Sequence, residues 1–336
     1  MKLGVSYNIF DGEELLKFSL LSIRELATHI SVVYQNISNF GKENKNLLPL
    51  LLKLQDEGLI DKLFEFNPSF TKNKNGSINW RSGSINELEK REIGLKIAKA
   101  NNCDFFMTMD ADEIYDTNQL QFALDTFEIG GYDSSFCEMA TFYKLPTLEI
   151  TDIIPNSITE NYEGSLSTLK VVEQSDEIKF DDVSKSITFK RNGKVWYDTS
   201  DLEKNFINSD TIANLINKKE SISTGYVPLF YKIKKTSKMG VTTNGEYPVK
   251  CDPTRKMLAG YCKIFTKDEI QMYHYSYVRK NIESKIYNSS AQSDKKNQKI
   301  VIDHFNNWKN IEDGAKFIGG YNFKLKEVEN KFNILI

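Results

Sequence analysis

The chain has 336 residues, 40% of them hydrophobic, and its 44 Lys and Arg against 46 Asp and Glu leave a net charge of -2. That length buries one large core, or one core with a smaller module, and the near-neutral balance argues against extensive nucleic-acid binding. No apolar run approaches the roughly 18 to 20 residues that cross a bilayer, and the opening MKLGVSYNIFDGEE lacks a secretion-type leader, so the expectation is a cytoplasmic protein.

In chain order, residues 3 to 9 (LGVSYNI) read as a buried strand. Asp11 and Glu14 then form an acidic, capping-box-like start to a helix carrying Leu16, Leu20, Ile23 and Ala27 on one face. A second strand at 29 to 35 precedes a leucine-rich helix from Leu47 to Leu54, and a third strand at 62 to 66 runs into a loop of Asn, Lys, Gly and Ser. Ser84 and Glu87 have capping-box spacing and predict a helix from Ile85 to Ala100, leading to a fourth strand, DFFMTM at 104 to 109. A helix from Asn118 to about Glu128, capped by Thr117, and a fifth strand from Tyr132 to about Phe142 follow. Strands alternating with helices predict an α/β fold, a mostly parallel sheet covered on both faces that binds ligands beyond the carboxyl ends of its strands.

Three regions are expected: a core at 1–146, a β-rich insertion at 147–224, and a segment at 225–336 that folds back over the open edge of the core. In the insertion, EIKF, SITFKR and KVWYD are strand-like, the last two flanking a turn at Asn192-Gly193. Cys103, Cys137, Cys251 and Cys262 lack CxxC spacing, which argues against a zinc site or a disulfide framework.

The chemistry concentrates at Asp110-Ala111-Asp112-Glu113, where the chain leaves an almost wholly apolar strand and carboxylates appear at once. In extended backbone, residues two apart point the same way, so Asp110 and Asp112 can face one divalent cation, Mn2+ or Mg2+. Such an ion bridges the phosphates of a nucleotide sugar and neutralises charge on a departing diphosphate. The competing reading is a solvated acidic turn. Asp252, in Cys251-Asp252-Pro253-Thr254-Arg255, is a candidate base for an acceptor hydroxyl, with Arg255 near phosphates or acceptor, although an Asp before Pro also caps turns. Glu138 is the rival base.

With DADE following the fourth strand, the sequence resembles the GT-A fold glycosyltransferases. More narrowly, GVSYNIFDGEE, ISVVYQNISNFG, NELEKREIGLKIAKANNCDFFMTMDADEIY and YHYSYVRK resemble family-2-related transferases of bacterial surface-polysaccharide loci and some phages. The resemblance covers about residues 1 to 145 and 225 to 295. It implies that Tyr7, Asn8 and Gln35 line a nucleoside pocket, that Lys90 and Arg91 approach the diphosphate beside Asp110, and that His274 is a third metal ligand. Many relatives carry an acidic residue where this chain has Gln35-Asn36; an amide both donates and accepts, so the nucleobase is left open. Tyr7 packed in the core, Lys90 and Arg91 on a solvated helix face, and His274 packed among tyrosines are the structural alternatives.

The implied activity is transfer of a hexosyl or pentosyl group from a nucleoside diphosphate sugar to an acceptor hydroxyl on a surface polysaccharide or lipid-linked glycan. A phage-type enzyme acting on a hydroxymethylated base in DNA is an alternative, motivated by Lys185, Lys190, Arg191, Lys194, Lys232, Lys234, Lys235 and Lys238. A nucleotidyltransferase or an inactive nucleotide-sugar-binding module is the alternative of another class. Asn8-Ile9-Phe10-Asp11-Gly12 lacks the Gly-rich basic loop that nucleotidyltransferases usually carry.

Overall fold

Four apolar runs pair side by side to begin the main sheet of the computed structural model, which describes residues 1–74, 76, 78–79, 81–153, 177–181, 186–191, 194–198, 226–240, 251–288, 295–317 and 322–335. The strands are β1 Leu3–Ile9, β2 His29–Tyr34, β3 Lys62–Glu65, β4 Phe105–Met109, β5 Glu113–Ile114, β6 Ser134–Tyr143, β7 Leu148–Ile153, β8 Glu177–Asp181, β9 Ser186–Arg191, β10 Lys194–Asp198, β11 Tyr226–Lys232, β12 Cys262–Ile264, β13 Gln271–Tyr277, β14 Ala315–Lys316 and β15 Asn322–Glu327. The helices are α1 Glu13–Ile23, α2 Leu47–Asp56, α3 Arg81–Ala100, α4 Thr117–Ile129, α5 Ile282–Asn288 and α6 Lys295–Asn307. Among the described residues, no helix is long and apolar enough to cross a membrane.

The main sheet runs β14-β15-β7-β6-β11-β4-β1-β2-β3, with β12 and β13 on β6 and β5 on β13. β1 to β4 are mutually parallel, as the alternating pattern predicts. The other half is mixed, because β11 lies antiparallel to both β4 and β6. The physical reason is connectivity. The β4-α4-β6 crossover returns the chain parallel to β4 but one strand away, and β11, arriving from far downstream, fills the gap in the opposite sense.

Both faces are covered. Leu16 and Leu20 of α1, Leu51 and Leu54 of α2, and Leu120 and Ala123 of α4 bury against Val5, Tyr7 and Ile9. At about 1.5 to 3 kcal/mol per buried aliphatic side chain, this layer dominates the folding free energy of the domain. On the opposite face α3 approaches β1 so closely that a Cβ on Gly94 would stand 1.9 Å from Ser6 Oγ. Only glycine permits that spacing.

Local signals differ from the predicted ones at helix ends. α3 starts at Arg81, so Ser84 and Glu87 lie inside the helix and form no capping box. α1 is preceded by Gly12 at φ 95° with no side-chain cap, and Asp11 is drawn instead to Arg279, 3.4 Å away. α4 is capped by Asp116, which accepts from the Asn118 and Gln119 N–H groups, in place of Thr117. β7, in the stretch assigned from sequence to the insertion, hydrogen-bonds with β15 and β6 and so belongs to the main sheet. β8, β9 and β10 form a separate antiparallel three-stranded sheet. The Asn192-Gly193 turn and Lys185 lie outside the described residues.

Candidate active site

The carboxyl ends of the parallel strands open onto a cleft of about 610 Å3. Asn8 from the end of β1, Gln35 just after β2, Lys90 and Arg91 from α3, and Asp110 and Asp112 just after β4 all line it. The C-terminal part closes the other side. β13 pairs antiparallel with β5, setting His274 opposite Glu113, and the Tyr275 N–H donates to the Asp112 carbonyl at 2.8 Å. Arg279 and Lys285 reach the same cleft.

The two aspartates point to different partners. After β4 the backbone turns, with Glu113 N–H donating to the Asp110 carbonyl at 3.3 Å. Asp110 accepts from Arg91 at 3.1 Å and from Arg255 at 2.6 Å. Asp112 accepts through Oδ2 from Arg279 at 2.8 Å and Lys285 at 3.1 Å. Its Oδ1 faces His274 Nε2 at 3.8 Å. Glu113 accepts from Nη1 and Nη2 of Arg255 and from the Asp110 N–H at 3.1 Å. Charge-assisted forks of this kind fix side chains more firmly than neutral hydrogen bonds do.

The titration behaviour follows from this wiring. Burial pushes the Asp110 carboxyl up, but Arg91 and Arg255 outweigh it and hold the group well below the usual carboxylate range. For Asp112 burial is outweighed by Lys285 and Arg279, with the same result. Glu113 goes the other way: burial, with the neighbouring Asp110 charge, raises it to about 7 against the pull of Arg255. Burial lowers His274 to about 4, so its imidazole is neutral and offers a lone pair.

Among the described residues, no group of three or more His, Cys, Asp or Glu side chains converges in a metal-binding arrangement. The pair that can share an ion is Asp112 with His274. Asp110, expected to share it, is occupied by two guanidinium groups.

Other predicted residues divide by the face they occupy. Tyr7 lies away from the cleft, fully buried under α1, its hydroxyl 3.0 Å from Ser19 Oγ, because alternation along β1 turns it opposite to Asn8. Lys90 and Arg91, rather than forming a solvated helix face, are each 1% exposed; Lys90 donates to Glu87 at 2.8 Å and Arg91 to Thr108 at 2.7 Å. Arg255 is buried behind the cleft against Asp110 and Glu113. Asp252 is on the cleft wall, its Oδ1 accepting from both the N–H and the hydroxyl of Thr254 at 2.8 Å, the turn-capping geometry its Pro neighbour suggests. Glu138 sits on β6 opposite Tyr226 and Gln271 and is not part of the cleft wall.

Arg279 and Lys285 escape the sequence reading. The available signal is the basic run after His274, in YHYSYVRKNIESK. Gly12 also matters here: at its positive φ, a Cβ would come within 2.8 Å of Ala111 Cβ, so glycine lets the loop entering α1 meet the acidic turn.

No family model matches the sequence. No curated protein matches it either. Among solved structures the chain is similar to TarS of S. aureus: to its 1-349 portion at 13% identity, over 93% of this chain and 77% of that chain, with a TM-score of 0.37. The same portion in complex with UDP-GlcNAc aligns at 14% identity over 52% and 44%, with a TM-score of 0.31. A longer TarS structure aligns at 15% identity over 48% of this chain, spanning 24% of the TarS chain, with a TM-score of 0.30. Likeness at this level assigns no ligand and no activity to the chain.

Proposed function

We propose that the chain is a GT-A type glycosyltransferase that moves a sugar from a nucleoside diphosphate sugar to an acceptor hydroxyl, assisted by Mn2+ or Mg2+. The observation that carries this reading is the approach of His274 Nε2 to Asp112 Oδ1 at 3.8 Å, in a cleft beyond the carboxyl ends of parallel strands. A carboxylate oxygen and a neutral imidazole nitrogen are a donor set suited to such ions. Charge supports the same fit. Asp11, Glu87, Asp110, Asp112 and Asp252 line the cleft against Lys90, Arg91, Arg279 and Lys285. A diphosphate entering a lining with more carboxylates than cations needs a positive partner.

Asp112 and His274 would hold the cation, which when bound supplies Lewis-acid stabilisation of charge on the leaving diphosphate. The protein's own part is positioning. Arg91, Arg279 and Lys285 already donate to carboxylates at the cleft, and phosphate oxygens would share those donors, bidentately for the guanidinium groups. Arg255 stays behind and fixes Asp110 and Glu113. Asp252, with one oxygen taken by Thr254, keeps the other to accept a proton from the acceptor hydroxyl; Glu138, off the cleft wall, is not assigned this role.

The acceptor we assign is a glycan hydroxyl, on a surface polysaccharide or a lipid-linked glycan. A DNA acceptor receives no particular support, as Lys234, one of the cations that motivated it, is held on Asp133 at 2.7 Å. The test is a panel of nucleotide sugars incubated with purified protein and Mn2+, measuring released nucleoside diphosphate. The reading fails if no donor is bound or turned over and Asp112→Ala changes neither metal nor nucleotide affinity.

A further inference from the structure

Two cations share the Asp112 carboxylate, and they are held in different ways. Arg279 is pinned on three sides: Nη2 donates to Asp112 Oδ2 at 2.8 Å, Nη1 faces Asp11 Oδ1 at 3.4 Å, and Nε donates to the Ser276 carbonyl at 3.0 Å. Its side chain is 4% exposed. Among the described residues Lys285 makes a single hydrogen bond, to the same Oδ2 at 3.1 Å, and its side chain is 26% exposed. A lysine is a compact charge on a flexible stem, whereas the planar fork of an arginine is rigid. Withdrawing Arg279 breaks three contacts in the interior; withdrawing Lys285 breaks one at the cleft.

The helix that carries Lys285 is fixed. Ile282 and Ile286 of α5 are buried with Val301 and Phe305 of α6, and Ser284 accepts from Lys42, in the loop after β2, at 3.2 Å. A change of partner by Lys285 is therefore a side-chain rotation within the cleft it lines.

Charge decides when that rotation occurs. A divalent ion held by Asp112 Oδ1 and His274 would bring two further positive charges to one carboxylate that already faces Arg279 and Lys285. Like charges a few ångströms apart repel strongly where water is excluded, and the Asp112 side chain is 2% exposed. Of its two cations, Lys285 is the one able to yield. The same comparison separates the two aspartates, because Asp110 is held by two buried arginines, Arg91 and Arg255, and by no lysine.

Resting on the metal and nucleotide reading above, we infer that Lys285 is an exchangeable counter-ion: it competes with Mn2+ or Mg2+ for Asp112, and it moves to the diphosphate when the ion takes the carboxylate. Ion and nucleotide then strengthen each other's binding through Lys285, and by linkage the factor is the same in both directions.

The experiment measures Mn2+ affinity of the full chain by calorimetry, alone and with saturating UDP, CDP, ADP or GDP, in wild type and in Lys285→Met. Mn2+ binding by each nucleotide itself is subtracted from a protein-free titration. Without nucleotide, Lys285→Met should bind Mn2+ at least about fivefold more tightly than wild type, because the competing charge is gone. With the tightest-binding nucleotide it should bind Mn2+ no more tightly than wild type, so the coupling factor falls by about fivefold or more. A lysine that stayed on Asp112 would give the variant the same gain with and without nucleotide. That result, or weaker Mn2+ binding by the variant alone, overturns this inference and leaves the metal reading standing. Lys285→Gln, a second neutral replacement, should show the same pattern, and tighter Mn2+ binding is a readout that an unfolded variant cannot give. Absence of Mn2+ binding by wild type with all four nucleotides overturns both.

Discussion

The contact between α3 and β1 allows a sharp test of how packing sets the site. In Gly94→Ala the new Cβ would lie 1.9 Å from Ser6 Oγ and 2.4 Å from Ser6 Cβ, where ordinary carbon contacts need about 3.5 Å or more. The helix must therefore back away from the sheet by about 1 Å or more. Overpacking of this kind costs about 1 to 3 kcal/mol, and the anchored strand backbone argues for the upper end. Ala gains about 1 kcal/mol of helix propensity over Gly, so the net loss is about 2 kcal/mol, or about 4 to 8 °C in Tm. Lys90 and Arg91, four and three residues earlier on the same helix face, move with it, and Arg91 loses its 3.1 Å contact with Asp110. Nucleotide affinity should fall together with Tm. Adding Ser6→Gly removes both clashing atoms, leaving Phe106 Cζ at 3.9 Å as the next neighbour, and its strand cost of about 0.5 to 1 kcal/mol roughly cancels the helix gain. Thermal unfolding by circular dichroism, with calorimetric nucleotide binding, measures all of this. A Gly94→Ala protein as stable as wild type, or a double variant that recovers nothing, refutes the reasoning.

Arg255→Met leaves Glu113 and Asp110 without a shared guanidinium and should cost about 3 to 5 kcal/mol in denaturant unfolding, with Glu113→Gln in the same chain recovering part of the loss. Asp112→Asn and His274→Gln should each weaken Mn2+ binding about tenfold or more in calorimetric titration, whereas Glu138→Gln should leave it unchanged. Burial holds His29 below its ordinary value of 6.5 in spite of the nearby Asp61 carboxylate. As pH falls through 6.5 the unfolded chain takes up this proton first, so stability drops there, and His29→Gln should flatten that part of a stability profile measured from pH 8 to 5.

The parts of this molecule legible in its sequence are those where one short segment carries the whole signal. LGVSYNI and FFMTM are strands because their apolar side chains have two covered faces to fill, and the leucines of α1 and α2 recur at helical spacing toward one of those faces. Asp110 and Asp112 fall at the edge of the sheet because an apolar strand ends immediately before them. His274 as a partner of Asp112 came from resemblance; nothing in its own neighbourhood specifies that contact.

Helix ends were less legible. Asp116 and Thr117 are both competent caps, and only the direction of entry into α4 chooses between them. The Ser84 and Glu87 spacing is real, yet α3 starts earlier and Glu87 is recruited by Lys90 and Asn39.

By itself the sequence determined an alternating α/β core with carboxylates at the carboxyl edge of its fourth strand, since burial and periodicity act within a few residues of one another. The tertiary structure alone decided that β11 enters between β4 and β6, that Tyr7 faces the core while Asn8 faces the cleft, and that Asp110 and Asp112 part company. Arg255 lies 145 residues from Asp110, and Arg279 and Lys285 lie 167 and 173 residues from Asp112. Arg279 and Lys285 become partners of Asp112 when β13 docks beside β5, and Arg255 reaches Asp110 from a turn packed on α3, because Coulomb attraction acts through space once burial has stripped the water away.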